Sequence, residues 1–337
     1  MIIGSFGPPF GKGGGLASVS VDVDGRMHSV PIRTERPLDS ATFLCAVPRE
    51  DGANLYAVER SSNRVAALRW RRAVPDEAEL LDVLDVGEAP CHVAVDPGRG
   101  VGVVSAYGDG SLTTFTRQGD GSIHGAVRHV PPLTPAERAV SRAHCAIFAG
   151  PYVLSSDLGL DRVNVWHPAA DGSLTWLSSA ALPAGSAPRH LRVHPSGAVY
   201  VVCERSGAIA TLAVGDGVAH VTAYVPPSTA GGGDLARAGG ASAAELAFSG
   251  DGRLAFVGMR ADDSIASYVL DGEGLPVWAA SSPGGRSPRH HVVIGDMLLV
   301  AYQDSDEVAS FAISRGSGIL RPLSRVTTVS PSCLLPI

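Results

Sequence analysis

The chain has 337 residues, 45% of them apolar and 18% charged, so it can bury a large core as one all-β domain or as two smaller domains. Its formal net charge is −6 and Lys12 is its only lysine, a balance that binds a phosphate backbone poorly and argues against a nucleic-acid partner. No apolar run approaches the roughly eighteen residues of a membrane-spanning helix, so no membrane partner is expected.

The first residues, Met1 to Pro8, lack the basic and long apolar regions of an export signal. The five cysteines, Cys45, Cys91, Cys145, Cys203 and Cys333, are far apart and include no C-x-x-C pair. Both observations point to reduced thiols and a cytoplasmic location. Residues 2–30 read as two or three strands. A repeat then begins weakly at Thr42-Phe43-Leu44-Cys45. Pro75 to Val83 is the one modest helix candidate. The repeat returns clearly at Pro90-Cys91-His92-Val93, Ala143-His144-Cys145-Ala146, Pro188-Arg189-His190-Leu191, Ala244-Glu245-Leu246-Ala247 and Pro288-Arg289-His290-His291. Aligned on positions 43, 92, 144, 190, 245 and 290, the copies are 45 to 55 residues apart, the length of one four-stranded propeller blade.

Each copy continues with a Gly or Asp turn and alternating β-rich runs, as in Pro195-Ser196-Gly197 followed by Val199-Tyr200-Val201-Val202. Residues 325–335 read as one more strand. Six copies and two unmatched ends predict a seventh blade shared by both termini, because a ring must close to remove its sheet edges. The expected architecture is all-β: one domain over 1–337, a seven-bladed β-propeller of four-stranded blades. Asp157, Asp161 and Asp306 fall in turns, where carboxylates cap backbone amides.

A propeller brings equal positions of different blades together at its axis. The aligned His92, His144, His190, Glu245 and His290 therefore belong to one candidate site. A Cys–His nucleophile built from Cys91 or Cys145 is disfavoured, since neighbours on a regular strand face opposite ways. No G-x-S-x-G, H-E-x-x-H or P-loop occurs, and no local spacing supports a metal, so neither metal nor cofactor is expected.

Several segments resemble the propeller lactonases, a family that includes 6-phosphogluconolactonases and fungal carboxymuconate-lactonising enzymes. They are Asp157-Leu158-Gly159-Leu160-Asp161-Arg162-Val163, Ala187-Pro188-Arg189-His190-Leu191 with Cys203-Glu204, Arg260-Ala261-Asp262-Asp263-Ser264-Ile265, and Pro288-Arg289-His290 with Gln303-Asp304-Ser305-Asp306. The resemblance spans the chain in order. It implies catalytic roles for His144, Arg189, Glu204 and Arg260, with His92, Asp157, His190, Glu245, Arg289, His290 and Gln303 as substrate-binding candidates. In that reading His144 transfers protons and the arginines hold an anionic substrate or its oxyanion. Arg142 is a further cation for an anionic group.

Two features depart from the family pattern. Met259-Arg260-Ala261 stands where the family has Asn-Arg-Gly, and the loop Pro226 to Ser242 has its own Gly- and Ala-rich sequence, expected to overhang the pocket. The resemblance implies a metal-independent lactonase acting on a small anionic, sugar-acid type lactone. An intramolecular cyclase of the carboxymuconate-lactonising or a biosynthetic kind, and a non-catalytic binding scaffold, are the alternatives. The oligomeric state is not legible from the sequence.

Overall fold

The computed structural model describes residues 1–21, 26–169, 171–227 and 241–337. They form seven antiparallel sheets of four strands, each wound from its innermost strand outward. The inner strands are Ala41–Arg49, Pro90–Asp96, Ala143–Ala149, Pro188–Val193, Ala243–Phe248, Pro288–Ile294 and Pro331–Leu335, opening blades one to seven. Each packs on the next, and the last packs on the first, so the ring is complete. This is the expected seven-bladed β-propeller.

The closing blade joins the two ends: Pro331–Leu335 pairs with Ile2–Ser5, which pairs with Leu16–Val21 and then Met27–Ile32. The anticipated final strand over 325–335 is in fact two. Leu320–Thr327 is the outer strand of blade six, and the chain turns at Thr328 to Ser330 before entering blade seven. The helix candidate at Pro75 to Val83 is also a strand, Val74–Asp85, paired along its length with Arg64–Arg71. The α-helix among the described residues is instead Pro135–Val140, started by a Thr134/Glu137 capping box. Residues 228–240, most of the loop expected to overhang the pocket, lie outside the described residues.

The core lies between blades. Leu154, Val163 and Val165 of blade three meet Leu191, Val201 and Leu212 of blade four, all fully buried. Each such side chain contributes on the order of 1.5–3 kcal/mol. Blade seven seals against blade one in the same way, through Ile2, Leu16 and Ile32 on Leu55, Leu68 and Trp70.

Six of the seven inner strands are entered through a non-glycine residue in the left-handed region: Ser40, Ala89, Ala187, Ser242, Ser287 and Ser330, with φ between 43° and 58°. That conformation costs roughly 1–2 kcal/mol per residue, and four of these residues are clasped from the preceding blade. Asn63, Asp161, Asp263 and Asp306 accept the N–H of Ala89, Ala187, Ser287 and Ser330 at 2.8, 2.6, 2.7 and 2.9 Å. The amide-capping reading of Asp161 and Asp306 thus holds, and the caps join consecutive blades.

Candidate active site

Every inner strand starts with the same irregularity. Its first residue pairs with the last residue of the second strand, and the ladder then skips one position, or two in blade five, before resuming. The skipped residue is Thr42, Cys91, His144, Arg189, Arg289 or Ser332 in blades one to four, six and seven, and blade five skips both Ala244 and Glu245. A β-bulge re-aims its side chain, and in blades one, two, four and six the bulged residue and its successor both reach the axial cavity. Cys91 with His92, Arg189 with His190, and Arg289 with His290 all line one axial cavity.

Two expectations change as a result. Adjacent residues here do not face opposite ways, so the ground given against a Cys–His arrangement fails. The repeat also aligns differently in blade three, where Cys145 is the equivalent of His92 and His190, and His144 is the equivalent of Arg189 and Arg289. The one-residue slip was invisible because both registers put a histidine near the right place. Cys91 is nonetheless a poor nucleophile: burial pushes its thiol up to about 11, and its Sγ–H donates to the His144 carbonyl at 3.2 Å.

The residue immediately after each second strand adds a rim. These are Phe6, Arg60, Tyr107, Leu158, Glu204, Arg260 and Gln303. Glu204 Oε2 lies 2.8 Å from Arg189 Nε and 3.0 Å from Arg260 Nη2, joining blades four and five. These are ion pairs by distance, but the N–H bonds do not point at the oxygen. Arg189 Nε and Arg260 Nη2 remain buried donors without a hydrogen bond among the described residues. Other atoms anchor the two guanidiniums: Arg189 Nη1 donates to Ala244 O at 2.6 Å, and Arg260 Nε to Ser242 O at 2.9 Å. His144 sits on the same wall, its ring 6.0 Å from Tyr107.

Arg60 was missed in the sequence. Its guanidinium covers Phe10 at 4.9 Å and Tyr107 at 5.4 Å, and it lines the cavity. The signal was available: Arg60 holds the repeat position of Glu204 and Arg260. Arg289, stacked over Phe6 at 4.8 Å, adds another guanidinium. Arg142 stays at the edge, over Tyr107 at 6.0 Å.

Deeper in the channel, Glu245 Oε1 lies 3.1 Å from His190 Nε2, and Glu245 Oε2 lies 3.6 Å from His290 Nε2. Arg192 Nη2 approaches Glu245 Oε1 at 3.0 Å. Phe43 packs on His92 with ring centroids 4.3 Å apart. His92, His190, Glu245 and His290 are all at most 5% exposed. One nitrogen each of His92 and His190 and the Cys145 sulfur lie within 4.8 Å of one another. The linear spacing hid this set because its members come from three blades.

Four candidates are not part of the cavity lining: Glu204 and Arg260, which stand beside Arg189 on the rim, and Asp157 and Gln303. Asp157 is buried with both oxygens engaged, accepting from Ser141 Oγ at 2.6 Å and from the Arg142 N–H at 2.9 Å, so it shapes the turn before blade three. Gln303 stands on the rim and donates to Phe10 O at 3.3 Å.

The electrostatics favour an anion. Burial, reinforced by Arg189 and Arg289, holds the His144 imidazole well below its ordinary range, so it is neutral at pH 7. Burial lowers His92 to about 3, with Arg192 and Arg189 adding to it. Burial alone would raise the Glu204 carboxyl, but Arg189, Arg260 and Arg289 outweigh it and keep it ionised. Burial raises Glu245 to about 7 against the pull of Arg192. Around the mouth, Arg60, Arg189, Arg260 and Arg289 outnumber the carboxylates that act on them, Glu204 and Asp304.

A family model described as "Lactonase, 7-bladed beta-propeller" matches residues 1–336. The 6-phosphogluconolactonase of Bacillus subtilis is 27% identical over 344 residues, covering 96% of this chain and 95% of that one. An uncharacterised protein of Lactococcus lactis is 25% identical over 298 residues, 86% of each chain. The periplasmic gluconolactonase of Pseudomonas aeruginosa has the same fold, with a TM-score of 0.85, 23% identity, and 98% of this chain and 96% of that one covered. A seven-bladed ring with its charged cavity on the axis, matched from end to end by one family model, makes this chain a member of the seven-bladed propeller lactonase family.

Proposed function

We propose that this propeller hydrolyses a small anionic lactone of the sugar-acid type in the axial cavity, using protein side chains alone. The observation that carries the reading is the excess of guanidiniums around a neutral, buried His144. Arginine presents a planar donor fork that suits carboxylate or phosphate. Arg60 and Arg289 bind the substrate's anionic group, and the name of the Bacillus relative makes a phosphorylated lactone a natural first choice.

Neutral His144 accepts a proton from water as the water oxygen attacks the lactone carbonyl carbon. The carbonyl oxygen becomes an oxyanion beside Arg189, whose Nε–H has no hydrogen-bond partner among the described residues. The tetrahedral intermediate collapses and the ring C–O bond breaks. The imidazolium returns its proton to the departing alkoxide, giving the open hydroxy acid. Glu204 keeps Arg189 and Arg260 in place. Burial, with the arginine field adding to it, makes His144 a weak base in the free enzyme. A bound anion cancels part of that field and returns the imidazole toward neutrality, where a general base is most useful.

The test is acid release from phosphorylated and plain δ-lactones, measured against spontaneous opening and repeated after chelation. Hydrolysis that survives the chelator and drops in His144→Ala supports the reading. A rate no greater than the spontaneous one for every anionic δ-lactone refutes it. Ring closure of an unsaturated acid would move the site to the cyclase class, and tight ligand retention without turnover to a binding role.

A further inference from the structure

We propose that His92, Cys145 and His190 form a binding site for one transition-metal ion of the zinc class at the floor of the axial channel. It is independent of lactone hydrolysis, no step of which uses the ion. The three side chains occupy the same position in three consecutive blades, the residue after the bulge in blades two, three and four. The propeller itself therefore builds the set. All three are buried, and their ligand atoms lie within 4.8 Å of one another. An ion centred on a triangle of that side is about 2.8 Å from each corner, so ligands closing in by roughly 0.5–0.8 Å reach the Zn–S and Zn–N distances of about 2.3 and 2.0–2.1 Å. Small side-chain rotations cover that range.

The chemistry of the donors selects the ion. Two imidazoles and a sulfur suit zinc-like or softer ions, whereas magnesium and calcium demand oxygen. His92 Nδ1 is buried without a hydrogen-bond partner, the state of a ligand awaiting an acceptor. The carboxylate of Glu245, 3.1 Å from His190 Nε2, supplies the outer partner that orients a metal-bound imidazole and leaves its other nitrogen for the ion. Arg189 and Arg192 oppose a cation here, and the Cys145 thiolate with Glu245 offsets the two positive charges of the ion. On binding, the Cys145 S–H bond breaks, its proton passes to water and the sulfur takes the metal. His92 and His190 both border the cavity, so the fourth coordination position opens into it and takes water or a small anion. The bound ion would fasten three inner strands to one another across two blade interfaces.

The full-length protein, stripped with chelator, is titrated with Co²⁺ under anaerobic conditions. One equivalent is expected to give thiolate-to-cobalt absorption in the near ultraviolet together with tetrahedral visible bands, and one equivalent of Zn²⁺ should abolish both. Cys145→Ser should remove the thiolate band and weaken Zn²⁺ binding by more than about 100-fold, since loss of an outer partner alone costs 10–100-fold. Cys91→Ser, altering the thiol that lines the cavity, should keep the band. Should Cys145→Ser fail to fold by circular dichroism, His92→Gln decides, because it must weaken Zn²⁺ while leaving the sulfur in place. The absence of a band in the native protein overturns the proposal. So does a band that survives Cys145→Ser or vanishes in Cys91→Ser, or a His92→Gln protein that binds as tightly as the native one.

Discussion

Replacing His291 by glutamine should make the fold less sensitive to acid. His291 is fully buried beside the channel, and its Nε2–H donates to Phe256 O at 3.0 Å. Its Nδ1 has no hydrogen-bond partner among the described residues. Burial lowers the imidazole to about 4, against an unfolded value of about 6.5. A depressed folded value contributes stability above the unfolded value and loses it as pH falls toward the folded one. The 2.5-unit gap corresponds to about 3 kcal/mol in all, of which about 2 kcal/mol is gone at pH 5. Glutamine does not titrate and can still donate to Phe256 O. The assay is equilibrium urea unfolding, followed by tryptophan fluorescence, at pH 8 and pH 5. The native protein should lose about 2 kcal/mol more than His291→Gln between the two conditions. His92 and the other buried histidines act in the same direction in both proteins. Glu245, raised to about 7, acts oppositely, its contribution being lost as pH rises through 7. These terms cancel in the comparison. Equal losses in the two proteins would show that His291 is protonated in the fold without penalty, and the burial argument would fall.

Three further outcomes bear on the site and one on the ring. His144→Ala should lower kcat by roughly 10²–10⁴ with KM nearly unchanged, in steady-state assays on the active lactone; an unchanged kcat would transfer the proton-transfer role elsewhere. Arg260→Lys should cut kcat/KM about 10- to 100-fold although the charge is kept, because an ammonium cannot hold Ser242 O and approach Glu204 together. The acid limb of kcat/KM should lie well below the ordinary imidazole range and that of kcat should lie higher, since the bound anion offsets the arginine contribution that adds to burial at His144; coincident limbs would count against that relief. Removing residues 331–337 should leave the chain largely insoluble, as sedimentation of the expressed protein would show, because Ile2–Ser5 loses its inner partner.

Much of this was legible in the sequence because a propeller repeats its chemistry as well as its strands. The 45–55-residue spacing gave blade number and closure, and the words around Arg189, Glu204 and Arg260 gave three side chains that meet in the structure. What escaped was local geometry. The bulge leaves no trace in residue types, so the alternation rule misjudged Cys91 and misaligned His144. Arg60 follows a strand with no distinctive neighbours, and only its equivalence to Arg260 marks it. Asp157 matched a family segment, yet a carboxylate holding Ser141 and the Arg142 N–H has nothing left for a substrate. Pro75 to Val83 mixes acidic and apolar residues as a surface helix does, but pairing with Arg64–Arg71 prevailed over that local pattern.

The closing blade sets a timetable for synthesis. Ile2–Ser5, Leu16–Val21 and Met27–Ile32 leave the ribosome before the other six blades, and the strand that completes their sheet, Pro331–Leu335, comes about 300 residues later. At 5–20 residues per second the wait is about 15–60 s. During that time the hydrogen-bonding edge of Ile2–Ser5 has no partner within its own chain. A ribosome following on the same message carries the same open edge and will in turn produce the same missing strand. The interval in which two growing copies can exchange that strand is fixed by the speed of translation, before the stability of the finished ring has any bearing on the outcome.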